Sequence, residues 1–298
     1  MATARIRPQP PLVVIVGPTA SGKTALAIRI AKEFNGEVIS ADSRAIYKDL
    51  TIGTAKPTPE QRQGVPHWGI DLVAPGERFT AADFKAYTLR KIAEIRSRGH
   101  MPIVAGGTGL YVDAVLYDFE FSDVANDTTR RDEFMKMPLE VLYKYCLENN
   151  IGLPVNNKNK RHVVNNILRN GQSLKRKHTL DPDTIVVGIA TEKEVLRQRI
   201  EQRADVIVAT STIKEATQAA GRYGWDNEAM TGNVYPLIRQ YLDKEISLEE
   251  LKQKCIISDW RLAKRQLTWF RRNEHIQWLE LSDAYTYIAR ELDKVNNL

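Results

Sequence analysis

The sequence predicts an α/β fold in which a parallel sheet is flanked by helices. Short apolar runs alternate with amphipathic stretches through the first third of the chain, the order typical of strand–helix–strand units with right-handed crossovers. A mostly polar, helical stretch then interrupts this pattern. With 298 residues, 43% of them hydrophobic, the chain is long enough to bury a sizeable core. We therefore predict an α/β core with C-terminal helices, made of residues 1–117 and 180–298, and a helical insertion at 118–179.

The first strand and helix enclose a phosphate-binding loop. "LVVIVG" predicts a buried strand, "TALAIRIAKEF" predicts an amphipathic helix, and Gly17-x-x-x-x-Gly22-Lys23-Thr24 lies between them. In this setting backbone N–H groups and the positive end of the helix face an anion, while Lys23 adds a charge. The Thr24 hydroxyl can ligate Mg²⁺. The motif indicates a P-loop NTPase-like sheet whose phosphate-binding candidates are Gly17, Pro18, Thr19, Ala20, Ser21, Gly22, Lys23 and Thr24.

Two further strands follow this first unit. "GEVISADS" predicts a short strand followed by Asp42, and "MPIVAGGTGLYVDAV" predicts a buried strand that runs into a glycine-rich turn. Between them, "TAADFKAYTLRKIAEIRSRG" predicts a helix that starts at Thr80 and stops at Gly99. Ligands of such sheets bind beyond the carboxyl ends of the strands. We therefore expect the phosphate loop, Asp42 and residues 106–108 to converge there.

The last third of the chain adds helices and two strands. "DTIVVGIAT" predicts one more core strand, and the stretch at 192–217 predicts one long helix. "EISLEELKQKCIISDWRLAKRQLTWFRR" predicts another helix, and "IQWLEL" an edge strand. In the helix predicted from "EISLEELKQKCIISDWRLAKRQLTWFRR", Trp269 has the spacing of a core residue.

Composition limits the function class. The formal net charge is +6, and the positive charge is segregated: residues 155–178 hold seven Lys or Arg, residues 261–272 hold five, and neither segment contains an acid. This pattern indicates a binder of phosphate backbones, although solvated basic helix faces remain the alternative. No apolar run reaches membrane-spanning length, so we expect a cytoplasmic protein without membrane contact. Cys146 and Cys255 have neither disulfide-framework nor zinc-site spacing.

The acid nearest to the phosphate loop is in an unusual place. An ATPase or GTPase needs an Asp after an apolar strand to organise Mg²⁺ and water, but "MPIVAGGTG" ends in glycines and Thr108. Asp42 instead follows the second strand. A carboxylate there suits accepting a proton from a nucleophile or a hydrogen bond from an exocyclic amine. Alternatively, Asp42 caps the following turn, and Thr108 satisfies its own turn.

Five ordered motifs carry a family resemblance. They are "GPTASGKT", "ISADSRAIYKDLTIGTAKPT", "PHWGIDLVAPGERFTAADF", "PIVAGGTGLY" and "RLAKRQLTWFRR". Together they resemble the tRNA dimethylallyltransferase family, whose members prenylate an adenosine beside the anticodon. The resemblance is close from Val13 to about Tyr117 and returns at 183–205 and 247–272. It implies that the loop holds the diphosphate of dimethylallyl diphosphate, with Mg²⁺ at Thr24, and that no ATP is consumed.

The resemblance also implies residue roles. Asp42 would orient N6 of the adenosine and take its proton, with Thr108 beside the same reaction centre. Arg203 would lie near the diphosphate, and Arg199, one turn earlier, would share that role or face solvent. The base must be flipped out to react. The residues implied in tRNA contact are Asp42, Ser43, Arg44, Ala45, Lys160, Arg161, Lys264 and Arg265. The family resemblance favours a monomer.

Two segments depart from the family pattern. Asn165 and Leu168 stand where the family helix usually carries an arginine and a glutamate, and the stretch 230–236 retains only Tyr235 of a usual Arg-x-x-Gly-Tyr pattern. We expect these departures to affect the tRNA grip and to leave the diphosphate chemistry intact. Three other hypotheses stay open: an adenylate isopentenyltransferase acting on AMP, a P-loop small-molecule kinase, and a non-catalytic RNA-binding protein that retains the loop. The basic C-terminal helix argues against the first, and the missing acid argues against the second.

Overall fold

A parallel sheet forms the centre of the fold. In this computed structural model, which describes residues 9–121, 128–173, 175–177, 179–232 and 234–296, the sheet's order is β3-β2-β4-β1-β5-β6. Every pairing between neighbours in it is parallel. The predicted fold class is confirmed. The strands are β1 (Leu12–Val16), β2 (Gly36–Ser40), β3 (His67–Trp68), β4 (Met101–Gly106), β5 (Thr184–Ile189) and β6 (Gln277–Leu279).

The central strand is β1, which pairs with β4 on one side and β5 on the other. All five of its residues are buried, as expected for a strand covered on both faces of a parallel sheet. Val16 lies opposite Gly106, and Ser40 opposite Ala105. The carboxyl ends of β1, β2 and β4 therefore lie at one edge, and the chain leaves this edge into the phosphate loop, the Asp42 turn and the Thr108 turn.

Helices cover both faces of the sheet and form the insertion. The predicted start of α3 (Ala81–Ser97) is confirmed: Thr80 caps it, and Thr80 and Asp83 form a reciprocal capping box. Ser247 and Glu250 form the same box at the start of α11 (Leu248–Phe270). The helices are α1 (Lys23–Glu33), α2 (Pro59–Arg62), α3 (Ala81–Ser97), α4 (Gly109–Leu116), α5 (Thr128–Lys136), α6 (Leu139–Glu148), α7 (Lys160–Leu168), α8 (Lys193–Ile207), α9 (Thr210–Tyr223), α10 (Tyr235–Leu242), α11 (Leu248–Phe270) and α12 (Leu281–Asn296).

Two sequence predictions about elements were wrong. The long helix expected over 192–217 is two helices, because the backbone of Ala209 is extended and the buried Thr212 hydroxyl donates to the Val206 carbonyl at 2.9 Å. A run of β-branched residues at this point weakens the helix. The apolar stretch after β4 was expected to remain strand and turn, but residues from Gly109 onward form α4. β3, only two residues long, was not predicted.

The chain divides into two compact units. One consists of residues 1–116 and 181–298, and the other of residues 117–180; these bounds lie one residue from the expected ones. The smaller unit has its own core, which includes Leu142, Cys146, Val163 and Ile167. Cys146 and Cys255 are both buried free thiols. Among the described residues, no helix is both long and apolar enough to cross a membrane.

Candidate active site

A large cavity opens at the carboxyl ends of the central strands. Its volume is about 1240 Å³, and its wall includes the phosphate loop, the Asp42 turn and the Thr108 turn. Basic side chains outnumber acidic ones in the wall. The basic residues are Lys23, Arg29, Lys32, Arg44, Lys56, Arg203 and Arg265, and the acidic ones are Glu33, Asp42 and Asp259. The larger unit by itself therefore holds a cavity suited to an anionic ligand.

The phosphate loop leaves the amino end of α1 without a protein cap. Gly22 occupies the N-cap position with φ 92°, a left-handed conformation that glycine adopts without steric cost, and no side chain caps the helix there. The first N–H groups of a helix have no partner within the helix. Within the loop, the Ser21 hydroxyl is also buried and without a partner among the described residues. These orphaned donors fit the oxygens of a phosphate or diphosphate.

Lys23 is the charged centre of this loop. Its ammonium donates to the Pro18 carbonyl at 2.6 Å. Burial lowers the pKa of Lys23 from its usual 10.5 to about 8, the nearby Asp42 carboxylate opposes this shift, and the Arg203 guanidinium adds to it. A lysine in this state gains most when an anion arrives, because the anion replaces the lost solvation of the ammonium.

Arg203, predicted near the diphosphate, is held in the cavity wall by two contacts. Its NH1 donates to Thr19 Oγ1 at 2.9 Å, and its Nε lies 3.2 Å from Oδ2 of Asp259, a buried residue of α11. Arg199 contacts the loop itself, since its NH1 donates to the Ala20 carbonyl at 3.4 Å. Arg199 and Arg203 of α8 therefore both face the phosphate loop, and Arg199 does not simply point into solvent.

The Asp42 turn is fixed from two sides. One carboxylate oxygen of Asp42 accepts the N–H of Arg44 at 2.8 Å, so the turn-capping alternative describes a real contact. The Ser43 N–H donates to Thr108 Oγ1 at 3.0 Å, and the Thr108 N–H donates to the Ala41 carbonyl at 3.1 Å. Thr108 thus holds the turn that carries Asp42. The other carboxylate oxygen of Asp42 is not used by this contact.

The other two residues of this turn occupy different positions. Arg44 lines the cavity and its NH1 donates to the Glu228 carbonyl at 2.9 Å, which ties the turn to the short 3-10 segment Glu228–Thr231. Ala45 is buried in the wall. The sequence therefore brings together residues 42–45, the phosphate loop, Thr108 and Arg203 around one cavity.

Comparisons with known proteins agree with this geometry. The model of a family described as IPP transferase matches residues 45–273. The chain belongs to the IPP transferase family. It is 39% identical over 285 residues to a tRNA dimethylallyltransferase of Acetivibrio thermocellus, covering 90% of this chain and 91% of that one. It is 34% identical over 307 residues to a tRNA dimethylallyltransferase of Bacillus cereus, with 96% of each chain covered.

A solved structure agrees as well. The full-length tRNA isopentenylpyrophosphate transferase from Bacillus halodurans matches with a TM-score of 0.73 at 33% identity, covering 96% of this chain and 98% of that one. The expected family resemblance is confirmed. Membership in the IPP transferase family disfavours the small-molecule kinase hypothesis, because that hypothesis depended on the phosphate loop alone.

α11 carries both predicted tRNA-binding residues and residues that the sequence analysis missed. Lys264 and Arg265 are exposed, with the Lys264 ammonium 5.7 Å from the centre of the Trp260 ring, and Arg265 lines the cavity. Trp269 is half-buried and its Nε1 donates to Asp113 at 2.8 Å. Asp259 and Gln266, which line the cavity, were not predicted as site residues. Asp259 lies four residues before Ala263 and seven before Gln266, so the three share one face of α11, but this spacing alone does not identify a site residue.

In the insertion unit, the two basic residues predicted to bind tRNA, Lys160 and Arg161, differ in their contacts. The Lys160 ammonium donates to the Met135 carbonyl near the end of α5 at 3.0 Å, which gives it a structural contact. Arg161 is exposed, and its backbone N–H is capped by Asn159. Asn165, one of the two departures from the family pattern in this helix, is hydrogen-bonded within the unit: Arg131 NH1 donates to its side-chain oxygen at 2.5 Å. Leu168, the other departure, is buried in the core of the unit.

Glu215, also missed, supports the cavity wall from outside. Its carboxylate accepts the backbone N–H groups of Thr51, Ile52 and Gly53 at 2.7–2.9 Å. The Tyr235 hydroxyl donates to it at 3.0 Å, and burial together with this carboxylate raises the pKa of Tyr235. Tyr235, the residue retained in the atypical stretch 230–236, therefore has a defined contact. No residue pattern near Glu215 in the sequence predicts this clamp, since three of its four partners are backbone amides at least 162 positions away.

Proposed function

We propose that this chain transfers the dimethylallyl group of dimethylallyl diphosphate to N6 of the adenosine next to the anticodon of tRNA, releasing diphosphate. The observation that carries the proposal is the pairing of an uncapped phosphate loop with the Asp42 carboxylate in one cavity wall. The names of the relatives support it, since curated proteins that are 34–39% identical to the chain are named tRNA dimethylallyltransferases.

The proposed reaction uses these groups in a balanced displacement. The bond between C1 of the allyl group and the diphosphate oxygen breaks, and the electron pair leaves with the diphosphate. Lys23, Arg203 and the N–H groups of the loop stabilise the charge that builds on this leaving group. The N6 lone pair forms the new bond to C1, and Asp42 accepts the N6 proton. The loop residues 17–24 thus bind the diphosphate, and Asp42 with Thr108 serves the acceptor.

The residues present fit a magnesium ion. Mg²⁺ is commonly held by one or two protein oxygens together with substrate phosphates and water. Thr24, whose side chain is exposed in the cavity wall, offers such an oxygen. The described residues contain no cluster of three or more His, Cys, Asp or Glu, which this mode of binding does not require. When bound, the ion would neutralise part of the charge on the diphosphate.

The proposed acceptor is the anticodon stem-loop of tRNA, and residues 42–45 would meet the flipped base. Lys264 and Arg265 of α11 present positive charge at the surface of the larger unit, and Arg161 presents it in the insertion. Lys160 contributes less in this proposal, because its ammonium is bonded within the insertion. Action as a monomer in the cytoplasm is part of the proposal.

Nucleoside mass spectrometry tests this function. Purified protein is incubated with Mg²⁺ and dimethylallyl diphosphate, in parallel with unmodified tRNA and with AMP. Prenylated adenosine from tRNA alone is the expected result, and product from AMP alone would instead support the adenylate isopentenyltransferase hypothesis. No product from either substrate, with folded protein, would overturn the proposal.

The same assay tests Asp42. Asp42→Ala is expected to lower prenyl transfer at least 10²-fold, because the group that accepts the proton is gone, while tRNA affinity stays within a few-fold. Ser282→Ala, at an exposed hydroxyl of α12 outside the cavity, is the matched control. Unchanged turnover in Asp42→Ala would remove Asp42 from the mechanism.

A further inference from the structure

We infer that Gln266 is a positioning residue that fixes the phosphate loop relative to the Asp42 turn, an inference that rests on the proposed function. Its side-chain oxygen accepts the Thr19 N–H at 2.7 Å, and its side-chain nitrogen donates to the Gly107 carbonyl at 3.1 Å. Gln266 is half-buried on α11 and lines the cavity. One amide group therefore joins two loops that are separated by more than 80 residues in the sequence.

The bridge contacts two loops, one that binds the leaving diphosphate and one that holds the Asp42 turn. Thr19 belongs to the diphosphate-binding loop, and its hydroxyl also accepts a hydrogen bond from Arg203 at 2.9 Å. Gly107 is followed by Thr108, which holds the Asp42 turn through the Ser43 N–H at 3.0 Å. The bridge thus connects the group that binds the leaving diphosphate to the group that receives the acceptor's proton. Misplacing two reacting groups by about 1 Å can cost on the order of 10²-fold in rate.

Glutamine is the residue that this bridge requires. A side-chain amide carries an acceptor and a donor on one planar group, whereas a carboxylate has no donor and a thioether has neither in useful strength. The partner loop makes room for it, because a Cβ at Gly107 would lie 2.2 Å from the Gln266 nitrogen. The Thr19 N–H is consequently engaged by protein, so Thr19 supports the diphosphate-binding loop through its position and not through this N–H.

The bridge predicts a separation of catalytic parameters. Gln266→Met removes both hydrogen bonds while nearly preserving the side chain's length. We expect kcat for prenyl transfer to fall roughly 10²-fold, the Kd of pyrophosphate to rise three- to tenfold because the loop loses a support, and KM for tRNA to stay within about threefold. Gln266→Glu keeps the bond from Thr19 and loses the bond to Gly107. Its negative charge beside the loop should weaken pyrophosphate binding more than Gln266→Met does.

Gln253→Met on the same helix is the matched control. Gln253 is exposed and its side-chain nitrogen donates to Glu249 at 3.0 Å, so its replacement should leave kcat, KM and the pyrophosphate Kd unchanged. Circular dichroism and Tm establish folding for each variant. If Gln266→Met fails to fold, Gln266→Asn serves in its place, because an amide shortened by one methylene cannot reach both partners.

The outcomes separate this inference from the proposed function. The bridge is supported if Gln266→Met lowers kcat and leaves the KM for tRNA unchanged, while Gln253→Met changes neither parameter. A kcat within twofold of the parent, or an equal loss in both variants, overturns it. If the unaltered chain shows no prenyl transfer, the proposed function fails, and the pyrophosphate measurement still decides the bridge: an unchanged Kd in Gln266→Met would overturn it, and a raised Kd would support the contact to the loop.

Discussion

Two loops of the larger unit present backbone N–H groups to an anion, and they differ in where the anion comes from. At residues 51–53, three consecutive N–H groups bind the carboxylate of Glu215, which belongs to the protein. At residues 17–24, the amino end of α1 has no side-chain cap, and the charged groups that contact the loop are cations, among them the Lys23 ammonium. The first loop is complete when the chain folds. The second is arranged for a ligand.

The two loops also differ in how the protein satisfies their charged side chains, Glu215 and Lys23. Glu215 gains four donors in the folded protein, counting the Tyr235 hydroxyl with the three N–H groups. Lys23 instead loses solvation on folding, as its lowered pKa shows. A charge that is satisfied by the protein stabilises the fold, whereas a charge kept for a ligand reduces stability until the ligand binds. Substitutions at the two loops should therefore change stability in opposite directions.

Lys23→Met should have the largest effect. Removing the charge that faces the leaving group is expected to lower prenyl transfer roughly 10²–10³-fold, as measured by single-turnover kinetics. The same variant should have a higher Tm at pH 7 than the parent. The folded-state pKa of about 8 lies below the usual 10.5, so the cost of the ammonium is complete below pH 8 and disappears as the pH rises to 10.5.

That gain in Tm should therefore shrink between pH 8 and pH 10.5. Lys254→Met, at an exposed lysine of α11, is the control for a general loss of positive charge. A lower Tm for Lys23→Met at pH 7 would contradict the idea that this loop is held in an unfavourable state for its ligand.

Glu215→Ala should have the second largest effect, on stability. It leaves three N–H groups and a tyrosine hydroxyl without their acceptor, and unsatisfied groups of this kind cost about 1–3 kcal/mol. We expect the free energy of unfolding to fall by about 3 kcal/mol in urea titrations. Gln218→Ala, on the same helix and exposed, should lose less than about 0.5 kcal/mol. Equal losses in the two variants would show that the clamp contributes no stability.

The pH dependence of pyrophosphate binding tests whether the Lys23 charge in the phosphate loop serves the ligand. Because the pKa of Lys23 is about 8 in the ligand-free protein, its ammonium is lost above that pH, and the affinity should fall by up to about tenfold per pH unit. Lys23→Arg keeps its charge throughout this range. Titration calorimetry of both proteins from pH 7 to pH 9.5 separates the effect from the ionisation of pyrophosphate itself. Parallel curves would exclude Lys23 as the titrating group.

The two loops were not equally predictable from the sequence. The phosphate loop is a contiguous motif in which Gly22, Lys23 and Thr24 follow a strand and open a helix. A motif of this kind can be recognised from the sequence alone. The convergence of Asp42 with Thr108 followed from strand order alone, because carboxyl ends of parallel strands meet at one edge. The confirmed fold class and the confirmed start of α3 at Thr80 have the same origin in local rules.

The missed features depend on tertiary contacts. Glu215 and Gln266 bind backbone groups that are distant in the sequence, and a backbone amide leaves no residue-type signature. The break between α8 and α9 depends on the burial of Thr212, which helical periodicity does not report. The roles of Lys264 and Arg265 stay predictions, since exposed basic side chains serve RNA and solvent equally well. Long-range pairing therefore limits what the sequence predicts at this site.

The smallest expected effect is that of Tyr235→Phe, which removes one of the four donors to Glu215 and leaves the ring in place. We expect a loss of about 1 kcal/mol in the free energy of unfolding, the usual contribution of one such hydrogen bond. Combined with Glu215→Ala, the substitution should cost almost nothing more, because the hydroxyl has already lost its acceptor. Full additivity in this double-mutant cycle would mean that Tyr235 and Glu215 stabilise the cavity wall independently, and that the clamp at residues 51–53 is complete without the tyrosine.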